Sequence, residues 1–144
     1  MPHQQRVSII TLASADVARS RRFYGEGFGW EPVFAAEEIL FYQLGGMLLG
    51  LYRSDDFAQD MDTDQVGNSG GFALAHNVRR EEDVQTLMSS LLAAGGTLQR
   101  KADAPPHGGV RGYIRDPDGH PWEIAYNPSL PIALDGSITF PETN

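Results

Sequence analysis

No cysteine occurs among the 144 residues, which excludes disulfides, thiolate metal sites and cysteine nucleophiles. Positive charge is also in short supply. Eleven Lys and Arg stand against 19 Asp and Glu, for a formal net charge of −8. That balance repels a phosphate backbone or an anionic membrane, so neither nucleic acid nor membrane is an expected partner. No apolar run approaches the roughly 18 residues of a membrane span. No early basic-then-apolar stretch reads as a signal peptide, and a cytoplasmic location is the expectation. What remains, with 41% apolar and 21% charged residues, has the composition of one globular domain with a sizeable core.

Along the chain, Val7 to Leu12 (VSIITL) is rich in β-branched residues and reads as a strand. Ser14 or Asp16 can cap a helix that runs through Phe23-Tyr24 and ends in the glycines of GEGFG. Trp30 to Phe34, Glu38 to Leu44 and Met47 to Tyr52 follow as strands, the last two joined at Gly45-Gly46. A polar, acidic stretch over residues 54–69 reads as a linker with one helical turn near Asp55 to Gln59. Then the order repeats. Gly71 to Val78 is a strand, and Arg80 to Ala94 is a helix with an apolar stripe at Val84, Leu87, Met88, Leu91 and Leu92. Thr97 to Lys101, Val110 to Arg115 and His120 to Tyr126 complete a second strand, helix, strand, strand, strand. The fold class is α+β: two βαβββ modules, about 5–53 and 70–127, each with a helix over one face of a mixed sheet and the opposite faces left to enclose a shared cavity. A tail over 128–144 carries a small hairpin around Asp135-Gly136.

Two such halves, with Arg22-Phe23-Tyr24, Gly29-Trp30 and DPDG followed by Trp122-Glu123, resemble the vicinal oxygen chelate superfamily. That group includes glyoxalase I, extradiol dioxygenases, and fosfomycin- and bleomycin-resistance proteins. LAHNV, AAGGT, GYIRDPDGHPWEIAYNP and the trailing DGSITFP look closer still to a glyoxalase-like branch. The resemblance covers nearly the whole chain. It implies a cavity in the concave face of each sheet and, in metal-bearing members, ligands from the first and last strands of each half. It also implies a homodimer.

Checked seat by seat, Glu123 matches the family's glutamate on the last strand. Alternation places Trp122, Ile124 and Tyr126 on one face and Glu123 with Ala125 on the other, so Glu123 points into the cavity. The other three seats fall at Ile9, at Ala73 and at Leu49 or Gly50, none of which is a ligand. His76 is expected on the helix-facing side. One carboxylate does not make a catalytic divalent site, for which three protein ligands are the norm, and no cofactor is expected. A metal-dependent lyase or dioxygenase would need Glu123 with loop histidines such as His107 and His120, or with ligands from a partner chain.

A type I turn over Asp116 to Gly119 sets Asp116 opposite His120, Ile114 opposite Trp122 and Tyr113 opposite Glu123. Arg111 then lies further along the same face, Asn77 joins from the neighbouring half-sheet and Gln43 joins from the first half. His107, in the loop DAPPHGG, is a candidate lid residue, although the loop reads more readily as a plain connection. A glutamate beside a tyrosine and an amide suits proton transfer on a small carbonyl substrate, as in an isomerase or lyase. Glu123 and Tyr113 are the catalytic candidates, and Asn77, Arg111, His107 and Gln43 the substrate-binding candidates. Two other readings stand beside this one. In one, Glu123 is an inherited residue without a catalytic role. In the other, the chain sequesters a cationic drug without catalysis, as bleomycin-resistance proteins do.

Overall fold

A computed structural model describes residues 3–67 and 70–141. The end of the expected linker (68–69) and of the tail (142–144) lie outside the described residues. The order is β1 (Ile9–Ser14), α1 (Val17–Arg22), a π-helical turn (Phe23–Gly27), β2 (Phe34–Ala35), β3 (Ile39–Leu44), β4 (Met47–Arg53) and α2 (Ser54–Asp60). The second module follows with β5 (Leu74–Asn77), α3 (Glu82–Ala93), β6 (Thr97–Asp103), β7 (Val110–Arg115) and β8 (Pro121–Tyr126). The repeated βαβββ order is present, with two departures. The strand expected over Trp30 to Phe34 shrinks to two residues, because Trp30 is drawn into an aromatic cluster instead of pairing. The single turn near Asp55 is a full helix, with Asp55 and Asp56 in its first turn where the helix dipole favours acids.

Each module forms its own four-stranded mixed sheet, ordered β1-β4-β3-β2 and β5-β8-β7-β6. The first and last long strands of each half run parallel, β1 with β4 and β5 with β8, while the other neighbours are antiparallel. The two sheets are not closed into a barrel. Alternation sorts their faces. Leu12, Leu40, Tyr42, Leu49 and Leu51 in the first sheet, and Ile114, Trp122 and Ile124 in the second, are buried beneath the helices with Val84, Met88 and Leu91. Helix meets helix across the pseudo-repeat. A β-carbon at Gly27 would lie 2.7 Å from Leu91 Cδ2, so any larger residue where the π-helical turn presses on α3 would have to displace the Leu91 side chain.

Seven aromatic rings join the modules: Phe23, Tyr24, Phe28, Trp30, Tyr42, Trp122 and His76. Phe28 stacks on Trp30 at 4.2 Å, and Tyr24 meets Trp122 edge to face at 6.0 Å. Inside this cluster lies a buried carboxylate. Asp116, 2% exposed, accepts from the Tyr24 hydroxyl (2.7 Å) and from the backbone N–H groups of Asp118 and His120 (both 2.9 Å). Trp122 Nε1 in turn donates to the Tyr24 oxygen (3.1 Å). Beside it, the Asp118 carboxylate accepts from the Ala15 N–H (2.9 Å), Arg19 Nη2 (2.9 Å) and Ser20 Oγ (3.3 Å). His120 Nε2 donates to the Ala13 carbonyl (2.8 Å). The DPDGH turn of one module therefore clasps the β1–α1 junction of the other.

Burial pushes the Asp116 carboxyl above its ordinary value of 3.8, against the pull of His120, Tyr24 and the two backbone donors. Burial and the facing Asp116 push the Tyr24 hydroxyl well above 10.0. An acid whose folded pKa is raised contributes stability that is full below its unfolded value and is lost as pH rises through the folded value. Relative to Asp116→Asn, the wild type should therefore gain stability as pH falls from 7 toward 4, as measured by urea unfolding at several pH values. Tyr24→Phe removes a donor from Asp116 and an acceptor from Trp122. It should cost about 1–3 kcal/mol at pH 7 in the same measurement.

Candidate functional site

On β8 the large side chains Trp122 and Ile124 turn to the helices, which leaves Glu123 on the opposite face. Register carries that orientation to the neighbouring strands. Glu123 lies opposite Ala75 on β5 and opposite Tyr113 on β7, with Arg111 opposite Ala125 and Asn77 opposite Ala125 on the other side. The antiparallel register expected for DPDG is present in full: Asp116 N–H donates to the His120 carbonyl (2.9 Å), and Ile114 pairs with Trp122.

A pocket of ≈ 240 Å³ opens on this face, and its polar lining includes Glu123, Asn77, Arg111 and His107. Val110, Ala125 and Leu130 supply apolar wall. Tyr113 is the cross-strand neighbour of Glu123 but is not part of the lining. Gln43 lies elsewhere. Its amide donates to the carbonyls of Gly45 (2.7 Å) and Met47 (3.3 Å), closing its own β3–β4 turn in the first module. Expecting it in the substrate set was wrong, because the nearest unsatisfied acceptors are local ones. The cavity is likewise not shared between the halves: β5, β7, β8, the loop through His107 and the tail at Asn127 and Leu130 build it. Asn77 belongs to the same sheet as Glu123 rather than to a neighbouring one.

Two features of the pocket were not foreseen. Tyr126 at the end of β8, Asn127 and Leu130 form a wall, and the loop after His107 fits tightly against them. Gly109 has φ +80, and a β-carbon there would lie 2.2 Å from the Tyr126 carbonyl oxygen. The paired glycines of DAPPHGG were the available signal, since only glycine allows both that dihedral and that approach. Arg111 is also more constrained than a surface ion pair. Its guanidinium, 17% exposed, bonds the Asp103 carboxylate and the Asp103 carbonyl. It is thereby held away from Glu123, whose carboxylate has no hydrogen-bond partner among the described residues.

The four seats that metal-bearing relatives use can now be located. Ile9 lies on β1 and is 45% exposed, Ala73 precedes β5, and Gly50 sits opposite Thr11 and Phe41 on the face away from the helices. Leu49, the other candidate counterpart of Glu123, is fully buried under the helices. Hydrocarbon or hydrogen fills three seats, and the described residues hold no group of three or more His, Asp and Glu that could hold a metal ion. Of the loop histidines, His107 reaches the pocket, while His120 is 6% exposed and committed to the inter-module clasp. This donor set does not fit a catalytic divalent metal. Another cleft, of ≈ 330 Å³, adjoins the clasp; its Asp118 is engaged with Ala15 and Arg19 and its His120 with Ala13 through Nε2, while His120 Nδ1 is buried without a partner among the described residues.

The family model of the Glyoxalase/Bleomycin resistance protein/Dioxygenase superfamily matches residues 6–124. No curated protein matches the chain by sequence. Among solved structures, a glyoxalase-related enzyme from Fulvimarina pelagi is 55% identical, covering 95% of this chain and 99% of that one, with a TM-score of 0.93. A glyoxalase/bleomycin resistance protein/dioxygenase family enzyme from Burkholderia phytofirmans PsJN is 18% identical over 83% of this chain and 96% of that one, with a TM-score of 0.74. A lactoylglutathione lyase from Agrobacterium tumefaciens is 20% identical over 87% and 96%, with a TM-score of 0.67. The last two show the fold alone.

Two substitutions separate pocket from scaffold. Gly109→Ala should destabilise the protein by about 1 kcal/mol or more, because its dihedral and its contact with Tyr126 both resist a β-carbon. Glu123→Gln, at a half-buried position without partners, should leave the unfolding free energy within about 0.5 kcal/mol of wild type. Chemical denaturation measures both.

Proposed function

The chain belongs to the glyoxalase/bleomycin resistance/dioxygenase superfamily, and on that premise we propose that it is a glyoxalase-like enzyme that moves a proton on a small carbonyl compound held against Glu123. One observation carries the reading. A carboxylate stands in a pocket of ≈ 240 Å³ with no described residue bonded to it, beside an amide and an imidazole. Structural carboxylates of this protein behave otherwise. Asp103, Asp116 and Asp118 each accept two or more hydrogen bonds. A half-buried acid left without partners is positioned to serve a ligand.

In the proposed step, Glu123 takes the proton from the hydroxyl-bearing carbon next to the carbonyl of an α-hydroxy carbonyl substrate. The electrons of the broken C–H bond form the enediolate, whose oxygen is stabilised by N–H donors of Asn77. Glu123, whose proton can exchange with water while the enediolate stands, then protonates the adjacent former carbonyl carbon, and with the hydroxyl proton passed from one substrate oxygen to the other this completes an isomerisation without a redox partner. His107, at the end of the loop over the pocket, is placed to shuttle a proton between the substrate oxygens. Tyr113 acts one remove away, by packing beside Glu123 across the strands. The volume favours a compact acid or ketoaldehyde over a drug-sized molecule, for which pockets of about 300–1,000 Å³ are usual.

The test is a thermal-shift screen of small α-ketoaldehyde adducts, hydroxy-ketones and carboxylic acids, followed by proton-exchange NMR in deuterated water on the compounds that bind. The reading expects wild-type protein to wash deuterium into the position next to the carbonyl. Glu123→Gln should slow this by a factor of about 10² to 10⁴ while still binding the compound. Equal exchange in the variant would end the catalytic reading. Tight binding with no exchange in either protein would favour the non-catalytic, sequestering reading.

A further inference from the structure

Two donors share the Glu123 pocket without a full set of partners. Arg111 and Asn127 both belong to its lining, and register brings them together. Alternation along β8 and just past its end puts Glu123, Ala125 and Asn127 on one face. Arg111 lies opposite Ala125 on β7. Both donors therefore sit at or beyond Ala125, which is two residues, or about 7 Å, along the strand from Glu123.

Arg111 is a cation in excess. Its Nη1 donates to the Asp103 carbonyl (3.3 Å) and to the Asp103 carboxylate. That carboxylate is also taken by Arg100, through Nε (3.3 Å) and Nη2 (3.0 Å). The hydrogen bond and charge of Arg100, with the charge of Arg111, hold the Asp103 carboxyl below its ordinary value of 3.8. Two guanidinium groups thus share a single carboxylate, and one positive charge is left over beside the pocket. Nε and Nη2 of Arg111 have no acceptor among the described residues. Asn127 is oriented as a donor. Its Oδ1 accepts from the Ser129 N–H (3.0 Å), which leaves Nδ2 free.

We infer that Arg111 and Asn127 form a carboxylate seat, and that the substrate of the Glu123 pocket is a short α-hydroxy carbonyl acid. The acid's carboxylate takes N–H donors of Arg111 and Asn127 in charge-assisted hydrogen bonds. Its hydroxyl-bearing carbon then falls toward Glu123, because seat and base are separated by about the length of such a molecule. The isomerisation moves the carbonyl one carbon along and gains or loses no atom. Asp103 has a part in this arrangement. By holding Arg111 off Glu123 it keeps cation and base apart, each free for its own end of the ligand. The chemistry rests on the proton-transfer reading of Glu123, while the seat stands on Arg111 and Asn127 alone.

Hydroxypyruvate and dihydroxyacetone share a hydroxymethyl ketone. The group beyond the carbonyl is a carboxylate in the first and a neutral hydroxymethyl in the second. NMR titration of the full-length protein with each gives two dissociation constants, and deuterium exchange at the hydroxyl-bearing carbon reports turnover. Wild type should bind hydroxypyruvate about tenfold tighter or more, and added salt should weaken the acid alone. Arg111→Met should bring the ratio of the two affinities close to one, and Arg111→Lys should restore part of it. Asn127→Asp keeps an acceptor for the Ser129 N–H and sets a like charge in the seat, so it should weaken the acid about tenfold. Glu123→Gln should bind the acid no less tightly than wild type. Equal affinities in wild type, an Arg111→Met that weakens both compounds alike, or unchanged acid binding in Asn127→Asp would each overturn the seat. If Arg111→Met fails to fold by circular dichroism, Asn127→Asp decides. The two readings fail separately. Selective binding of the acid without exchange supports the seat and ends the proton-transfer reading, whereas exchange with no preference for the acid ends the seat alone.

Discussion

The buried carboxylate of Asp116 is the constraint on which the rest of the molecule depends. Three donors converge on it, from Tyr24 in the first module and from the backbone of Asp118 and His120 in the second. A desolvated carboxylate of this kind is costly unless its hydrogen bonds are all made. The turn is therefore held in the one shape that makes them, and the turn fixes the register of β7 and β8. Because strand side chains alternate with period two, a slip of one residue would send Glu123 under the helices and Ile124 into the pocket. The position of the candidate catalytic acid thus follows from a different acid seven residues earlier in the chain.

The same turn unites the halves. Asp118 and His120 reach the β1–α1 junction, and the Tyr24–Trp122 bond ties the aromatic cluster to both sheets. With the helices packed together, the opposite sheet faces are left open. On the second of them the loop through His107 and the tail near Leu130 add walls that the sheet lacks. Arg111, drawn aside by Asp103, leaves Glu123 unneutralised. The scaffold carboxylates Asp103, Asp116 and Asp118 find partners within the scaffold, whereas the Glu123 carboxylate in the pocket is left free of them.

Much of this was legible in the residues. The apolar stripe of α3, the β-branched strands and the DPDG turn announced two repeated modules, and the alternation around Trp122-Glu123-Ile124 assigned faces correctly. Local patterns of this kind depend on neighbours within a few positions. The clasp was hidden because its partners are 92 to 107 residues apart. Gln43 was misplaced because parity gives a face and not the bond that a flexible amide will choose. Trp30 carries every strand propensity, yet stacking on Phe28 outweighed it. The wall formed by the tail had no periodicity to read.

A crystal structure of the protein with the best-binding small carbonyl or acid would test the central claim most directly. The account predicts ligand density within hydrogen-bonding distance of a Glu123 carboxylate oxygen and of the Asn77 amide, under the His107 loop. Ligand bound away from that carboxylate, or a Glu123 side chain turned out into bulk solvent, would contradict it.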